Sequence, residues 1–447
     1  MARWPLGQTQ RRLLGYLSLQ EWKVRLIFWS GALAVGIVAA LFAIAGNWAI
    51  QLHNRVLAHS PWWSLLLAPV GFVLAVACTR SLFPGTQGSG IPQAIAALRI
   101  GDEELRHSVL SLRIAFGKIL LTLLGLFSGA SIGREGPTVH VGASMLMALG
   151  RFTKFPRRYI EHGLILAGGA AGIAAAFNTP IAGIIFAIEE MARVYEERAT
   201  GTLLVAVILA GITSMAMLGN YTYFGTTGAI LPDAHAWLAV LVCGLAGGLA
   251  GGLFSRGLIA STHWLAPSLT RRPLVIAAAC GLIVAALGLL THGVTYGTGY
   301  EQARLVLVSD AYPDWGFPFY KIAATLASYA SGIPGGIFSP SLSTGAGLGA
   351  DLSFLVPGAP MAAVVILGMV GYFTGVVQTP ITAAVIVMEM VNDHSMVIPI
   401  MATAFIALGT SKVVCHEPIY WTLAQEFIGA ATRDAATQAD SSRSSPS

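Results

Sequence analysis

A succession of apolar segments, several of them broken by Gly and Pro clusters, constrains this chain more than any other feature of its sequence. Hydrophobic residues make up 55% of the 447 residues and charged residues only 11%, whereas a soluble domain is about one quarter charged. This composition excludes an ordinary soluble enzyme and a largely disordered chain. The 51 glycines fit the close backbone packing of membrane helices. We therefore expect an all-α polytopic membrane protein.

The apolar segments divide into two halves that lie between polar ends. A basic segment, residues 1–25, precedes an apolar run over 26–50 that is long enough to span a bilayer. The positive-inside tendency predicts that the basic segment is cytoplasmic. We assign 26–220 to a first membrane repeat, 221–425 to a second, and 426–447 to a disordered polar tail. Many segments are too short for a straight crossing, which predicts tilted, broken and re-entrant helices.

Four blocks of the first half recur in the same order in the second half. Two homologous membrane halves predict parallel or inverted repeats around a shared site, and the residues leave both topologies open. The matched blocks are 88–94 with 297–303, 118–123 with 321–326, 128–137 with 331–340, and 179–189 with 379–389.

The repeat separates the acidic residues into two groups. Glu189 and Glu389 occupy matched positions, which predicts a structural role such as pairing or capping. Glu135 and Glu190 have no acidic counterpart in the second half. A carboxylate at membrane depth is unfavourable and marks a functional candidate. We therefore predict functional roles for Glu135 and Glu190, with the alternative that each is paired with a neighbouring arginine.

Two lysines, Lys118 and Lys321, also occupy matched positions inside apolar runs. Each half would then contribute one positive charge to a shared site, where it would favour an anion. The alternative is that both ammonium groups reach the membrane surface or are paired.

Three Gly-rich turns indicate helix starts. Clustered helix N-termini would present unpaired N–H groups and positive dipole ends, which bind an anion without a full counter-charge. Such a site also lets a transported anion leave again. The turns are 88–92, 133–137 and 335–340, and the helices predicted after them are 93–98, 138–149 and 341–348.

Taken together, these motifs resemble the CLC family of chloride channels and chloride/proton exchangers. The resemblance covers about 25–425 and implies inverted-topology repeats, a homodimer with one pathway per subunit, and a bacterial-type protein without C-terminal regulatory domains. Gln93 and Ile95 depart from some bacterial exchangers, which carry acids there. The matching residues are Gly88-Ser-Gly-Ile-Pro92, Gly133-Arg-Glu-Gly-Pro137, Ile188-Glu-Glu-Met191, Gly336-Ile-Phe-Ser-Pro340 and Pro418-Ile-Tyr420.

The resemblance also implies roles for individual residues. Glu135 would be the outer gate, a carboxylate that occupies an anion position when ionised. Glu190 would accept protons on the cytoplasmic side, and Lys118 would give electrostatic support. Chloride is the transported ligand, and no cofactor or metal is expected. The anion-binding residues would be Ser89, Gly90, Arg134, Gly136, Ile337, Phe338 and Tyr420, through hydroxyl groups at Ser89 and Tyr420 and backbone N–H groups at Ile337 and Phe338.

The predicted function is exchange of chloride for protons across the inner membrane, with both termini cytoplasmic. The main alternative is a passive voltage- or proton-gated chloride channel of the same fold, which Glu190 disfavours because many channels carry an apolar residue there. A proton-coupled transporter of larger organic ions would need more polar lining residues. No catalytic motif indicates an enzyme, and the modest net charge of +5 gives no basic patch for nucleic acid.

Overall fold

A computed structural model describes residues 19–150, 157–193, 200–219, 221–309 and 315–444. Every regular element in these ranges is helical, which confirms the predicted all-α fold. A π-helical turn, Ala187–Ala192, directly follows the helix that ends at Phe186. The α-helices are α1 (Leu19–His59), α2 (Ser64–Ser81), α3 (Ile91–Arg99), α4 (Glu103–Val109), α5 (Leu112–Phe127), α6 (Glu135–Leu149), α7 (Arg157–Phe177), α8 (Pro180–Phe186), α9 (Thr200–Leu218), α10 (Leu238–Arg271), α11 (Pro273–Leu290), α12 (Tyr300–Ser309), α13 (Phe317–Ala330), α14 (Phe338–Leu352), α15 (Met361–Val377), α16 (Pro380–Val391), α17 (Val397–Val414) and α18 (Ile419–Ser444).

Long apolar helices surround shorter ones. Within the described ranges, seven helical stretches are long and apolar enough to cross a membrane, and the first contains the predicted run 26–50. The shorter helices α6, α14 and α15 are buried along most of their length. Short helices thus lie inside the protein, where their ends can be satisfied by protein groups or a ligand.

The helices that follow the Gly-rich turns begin earlier than the sequence predicts. α6 begins at Glu135 and α14 at Phe338, so the predicted starts at 138 and 341 are too late. Pro137 and Pro340 therefore lie inside the first helical turn, where the missing N–H has no intrahelical acceptor to lose. As a consequence, the candidate functional residues Glu135 and Phe338 are the first residues of α6 and α14.

Backbone hydrogen bonds join the Gly-rich loops of the two halves. Gly133 and Gly336 exchange two N–H···O bonds of 2.7 Å each. The N–H of Gly88 donates to Ile333 at 3.2 Å, and the Gly88 carbonyl accepts from Gly335 at 3.1 Å. These bonds fix the N-termini of α3, α6 and α14 close together, as the anion-site hypothesis requires.

The matched acids Glu189 and Glu389 cap helices reciprocally between the halves. The Glu189 carboxylate accepts two backbone N–H groups at the start of α16, at 3.2 and 2.6 Å. The Glu389 carboxylate accepts two at the start of α8, at 3.2 and 2.7 Å. Each negative charge therefore stabilises the positive end of a helix in the opposite half. The predicted structural role is confirmed, and of the two alternatives, pairing and capping, the structure shows capping.

The polar tail is helical over most of its length. Residues 426–447 were expected to be disordered, and the structure describes 426–444 as the continuation of α18. Buried Leu423 and Ala424 hold the start of α18, and the Ala-rich sequence after it favours helix continuation. Residues 1–18 and 445–447 lie outside the described residues, and the repeat boundary at 220/221, which falls between α9 and α10, stays a prediction.

We expect Glu389→Ala to destabilise the protein, because two N–H groups at the start of α8 lose their acceptors. Ala182 is buried whereas Ile181 is exposed, so the penalty of about 1–3 kcal/mol for an unsatisfied buried donor applies to the Ala182 N–H. Glu389→Gln retains one carbonyl oxygen and should lose less. The measurement is the midpoint of thermal unfolding in detergent. Glu301→Ala, at an exposed acid in the first turn of α12, is the control, and an unchanged midpoint for Glu389→Ala would contradict the prediction.

Candidate anion and proton site

The carboxylate of Glu135 lies where α6 meets α14. Glu135 is fully buried, and its Oε1 accepts a 2.6 Å hydrogen bond from the hydroxyl of Ser339 in the first turn of α14. Its Oε2 turns back over Gly133, where a side chain would collide with it. Oε2 has no hydrogen-bond partner among the described residues. The carboxylate therefore lies at the positive end of α14, as a bound anion would.

Arg134 is directed away from Glu135. One of its terminal nitrogens donates to the Ala43 carbonyl at 2.7 Å and to Asn47 Oδ1 at 2.8 Å, both on α1. The alternative in which Arg134 pairs with Glu135 is thus absent from the described part of the chain. Glu135 is left without a neutralising ion pair there, which suits a group that changes protonation. An anion-binding role for Arg134 stays a prediction.

The predicted central anion ligands are brought together. Ser89 and Tyr420 are buried, and their hydroxyl groups lie close to each other; within the described ranges neither hydroxyl oxygen has a hydrogen bond of ordinary geometry. The rings of Phe338 and Tyr420 stack with centroids 5.9 Å apart. The N–H groups of Ile337 and Phe338, at the start of α14, have no intrahelical acceptor. Unpaired buried donors at one place indicate a polar ligand.

Two glycines allow this close approach. Gly90, with φ of 103°, precedes α3 in the left-handed conformation that glycine tolerates best. A Cβ on Gly136 would overlap the Ser89 hydroxyl and lie 2.9 Å from the Ser89 carbonyl oxygen. The ends of α3 and α6 thus meet only because neither position carries a side chain.

Both buried lysines bind the loops of their own halves. The Lys118 ammonium donates to the carbonyls of Gln87 and Gly88, at 3.4 and 3.2 Å. Lys321 donates to two carbonyls of the matching loop, both at 2.8 Å. Neither forms an ion pair with a described residue, so the pairing and surface alternatives are not observed. The predicted electrostatic support from Lys118 remains a prediction.

The two departures from the family pattern have structural roles. Gln93 donates to the carbonyls of Gly85 and Gln87, at 3.3 and 2.7 Å, and so holds the loop that Lys118 also binds. Ile95 is buried in the main hydrophobic core. Neither residue supplies an ionisable group on the side of Glu190.

Glu190 lies in the π-helical turn, a conformation often found at functional sites. It is buried, and neither carboxylate oxygen has a hydrogen-bond partner in the part of the chain described. Glu189 next to it caps α16, so the two acids face different surroundings, as the helical geometry predicts. Arg193 stacks on Trp421 and lies within electrostatic range of Glu190, but no ion pair between their side chains is found in the described ranges.

Tyr223 is a site residue that the sequence analysis missed. It adjoins a cavity of about 440 Å³, which Arg134 also lines, and it lies within electrostatic range of Glu135. Its ring packs against Phe177 and Tyr300, with centroid distances of 5.3 and 4.9 Å. Tyr223 falls between the repeated blocks, and its only signal is an aromatic cluster in a non-helical stretch.

A family model described as "Voltage gated chloride channel" matches residues 70–412. The chain belongs to the voltage-gated chloride channel family. The H(+)/Cl(-) exchange transporter ClcA of Yersinia pestis bv. Antiqua (strain Angola) is 29% identical over 431 residues, which cover 89% of this chain and 87% of the relative. A putative chloride channel protein, ClcB-like, of Ralstonia nicotianae is 31% identical over 384 residues, covering 80% and 85%.

Solved structures of the family share the fold. A slow cyanobacterial Cl−/H+ antiporter superposes with a TM-score of 0.79 at 24% identity, over 90% of this chain and 97% of its own. A CLC-type fluoride/proton antiporter gives 0.76 at 23% identity, over 89% and 96%. The predicted family and membrane fold are therefore confirmed, and this family member is a multi-pass membrane protein.

We expect Gly136→Ala to weaken chloride binding, because the added methyl group displaces Ser89 from the end of α6. Isothermal titration of the purified protein with chloride should show at least about a ten-fold loss of affinity, equivalent to about 1.4 kcal/mol. Gly163→Ala, in α7 with open space around the added methyl group, is the matched control. Equal affinities for the two variants would contradict this account of the site.

Proposed function

We propose that this protein is a secondary active transporter that exchanges chloride for protons. The observation that carries the proposal is the Glu135 carboxylate, which lies at the start of α14 and accepts a hydrogen bond from Ser339. A second buried acid without an ion-pair partner, Glu190, supplies a place for the proton. Exchange needs an anion site that a carboxylate can occupy. It also needs an acid that binds protons from the opposite side of the membrane.

Glu135 is the gate in this mechanism. When ionised, it competes with chloride for the positive end of α14 and for the donors beside it. Protonation removes the negative charge, so the side chain is no longer attracted to the positive end of α14 and chloride binds there instead. Chloride occupancy and Glu135 protonation are thus linked reciprocally, since each changes the free energy of the other.

Glu190 receives protons from the cytoplasmic side and passes them toward Glu135. The Tyr420 hydroxyl lies within electrostatic range of both acids, so the anion ligand lies in the field of both proton carriers. Chloride bound near Tyr420 would favour the protonated form of each carboxylate by charge repulsion. In this mechanism, chloride binding near Tyr420 promotes protonation of Glu135 and Glu190, so the two events are coupled.

The chain supplies every proposed ligand of the site, so we propose one complete pathway per subunit in a homodimer. We also propose an inner-membrane location with both termini cytoplasmic, since the N-terminal segment is basic. A passive chloride channel of the same fold is the second candidate, and one relative is named a putative chloride channel. The buried, unpaired Glu190 favours exchange over that candidate.

The test is proton movement driven by chloride in liposomes that contain the purified protein. With a chloride gradient and no proton gradient, we expect the wild type to move protons uphill, which an external pH electrode records. Glu135→Ala and Glu190→Ala should each abolish proton movement while chloride flux persists. Glu301→Ala, which changes an exposed acid of the second half, should retain both fluxes.

Other outcomes separate the candidates. Chloride flux without proton movement in the wild type would contradict exchange and favour the passive channel, in which Glu135 can still be the gate. Coupled exchange that survives Glu190→Ala would contradict the role of Glu190 alone. A wild type without chloride flux would contradict both candidates.

A further inference from the structure

Two arginines contact the ring of one aromatic residue next to Tyr420. Trp421 follows Tyr420 in the first turn of α18. The guanidinium carbon of Arg99 lies 5.3 Å from the centroid of the Trp421 ring, and that of Arg193 lies 5.1 Å from it. Arg99 also donates to the Ala192 carbonyl at 3.1 Å. These distances are typical of cation–π contacts, and we call Arg99, Arg193 and Trp421 the Trp421 cluster.

Each member of the Trp421 cluster belongs to an element that carries a different site residue. Arg99 ends α3, the helix that follows Ser89. Arg193 ends the π-helical turn that carries Glu190. Trp421 is the neighbour of Tyr420 on α18. One ring therefore connects two predicted chloride ligands with the predicted inner proton acceptor, although the three elements are far apart in sequence.

Arg193 and Arg99 are exposed, and the backbone of Arg193 ends the π-helical turn in a defined conformation. Arg193 adopts a left-handed conformation with φ of 56°, which is unfavourable for a residue with a side chain. Such a conformation persists when the surroundings hold it. The Arg193 N–H donates to the Ile188 carbonyl at 3.0 Å, and the Trp421 ring contacts the Arg193 side chain. The end of the turn is therefore held by one backbone hydrogen bond and one side-chain contact.

We propose that Trp421 is a positioning residue that keeps the turn of Glu190 in register with the chloride ligands Ser89 and Tyr420, and so sets how many protons move per chloride. The proposal rests on the exchange function proposed above. When the ring is lost, the turn and α18 move independently, so chloride passes without its proton. The competing explanation is that Arg99 and Arg193 act only as charges that attract chloride.

The test compares Trp421→Leu with Trp421→Phe in the liposome assay. We expect Trp421→Leu to lower the ratio of protons to chloride at least about three-fold, since the cation–π contact is lost, while chloride flux continues. Trp421→Phe retains a ring face and should recover most of the ratio. Trp264→Leu, at an exposed tryptophan of α10, is the matched control and should keep the wild-type ratio.

A double-mutant cycle separates positioning from charge. If Arg193 acts through the ring, Arg193→Gln combined with Trp421→Leu should lower the ratio no further than either change alone. If the arginines act only as charges, on chloride or on Glu190, within whose electrostatic range Arg193 lies, the effects of Arg99→Gln and Arg193→Gln would weaken at high ionic strength. Trp421→Leu, which removes no charge, would then leave the ratio unchanged. That second result would overturn the proposal.

Chloride affinity of the purified protein gives a readout that does not depend on proton movement. A displaced Tyr420 predicts weaker chloride binding by Trp421→Leu than by Trp421→Phe in isothermal titration, even if the wild type moves no protons and the exchange proposal fails. Wild-type affinity in Trp421→Leu, together with an unchanged ratio where exchange occurs, would overturn the positioning role. Unchanged elution in size-exclusion chromatography identifies the variants that have folded.

Discussion

The paired backbones of Gly133 and Gly336 are the constraint on which the rest of the site depends. Their two 2.7 Å hydrogen bonds bring α6 and α14 together with both N-termini pointing at one place. Positive helix ends that face each other are unfavourable unless a negative charge lies between them. The fold therefore creates a requirement for an anion, which the Glu135 carboxylate meets in this structure and which chloride would meet in the proposed transport cycle.

The attraction between a carboxylate and a helix N-terminus also explains two other acids, but these have a fixed structural role. Glu189 and Glu389 also lie at helix N-termini, but each accepts two N–H groups and so has a fixed structural partner. Glu135 accepts one side-chain hydrogen bond and keeps a free oxygen, and Glu190 has no partner among the described residues. Acids with fixed partners hold the halves together, and the acids without them are the ones that we propose exchange protons.

The internal repeat is what made the sequence informative. It predicted a structural role for Glu189 and Glu389, because a structural acid is needed in both halves, and it singled out Glu135 and Glu190 because they occur in one. The pattern failed where prolines were taken as helix boundaries, since Pro137 and Pro340 lie within the first turn. It also missed Tyr223, which no repeated block contains. In the tail, helical propensity outweighs polar composition.

By itself, the sequence determined the membrane class, the recurring blocks, the Gly-rich helix starts and the acids that are functional candidates, because hydropathy and repetition are local properties of the chain. Only the tertiary structure decided which groups meet. Lys118 could not be assigned its carbonyl partners, nor Arg134 its contacts on α1, because such pairs depend on how distant helices cross. The Trp421 cluster joins positions 99, 193 and 421, and no local pattern encodes a contact over that separation.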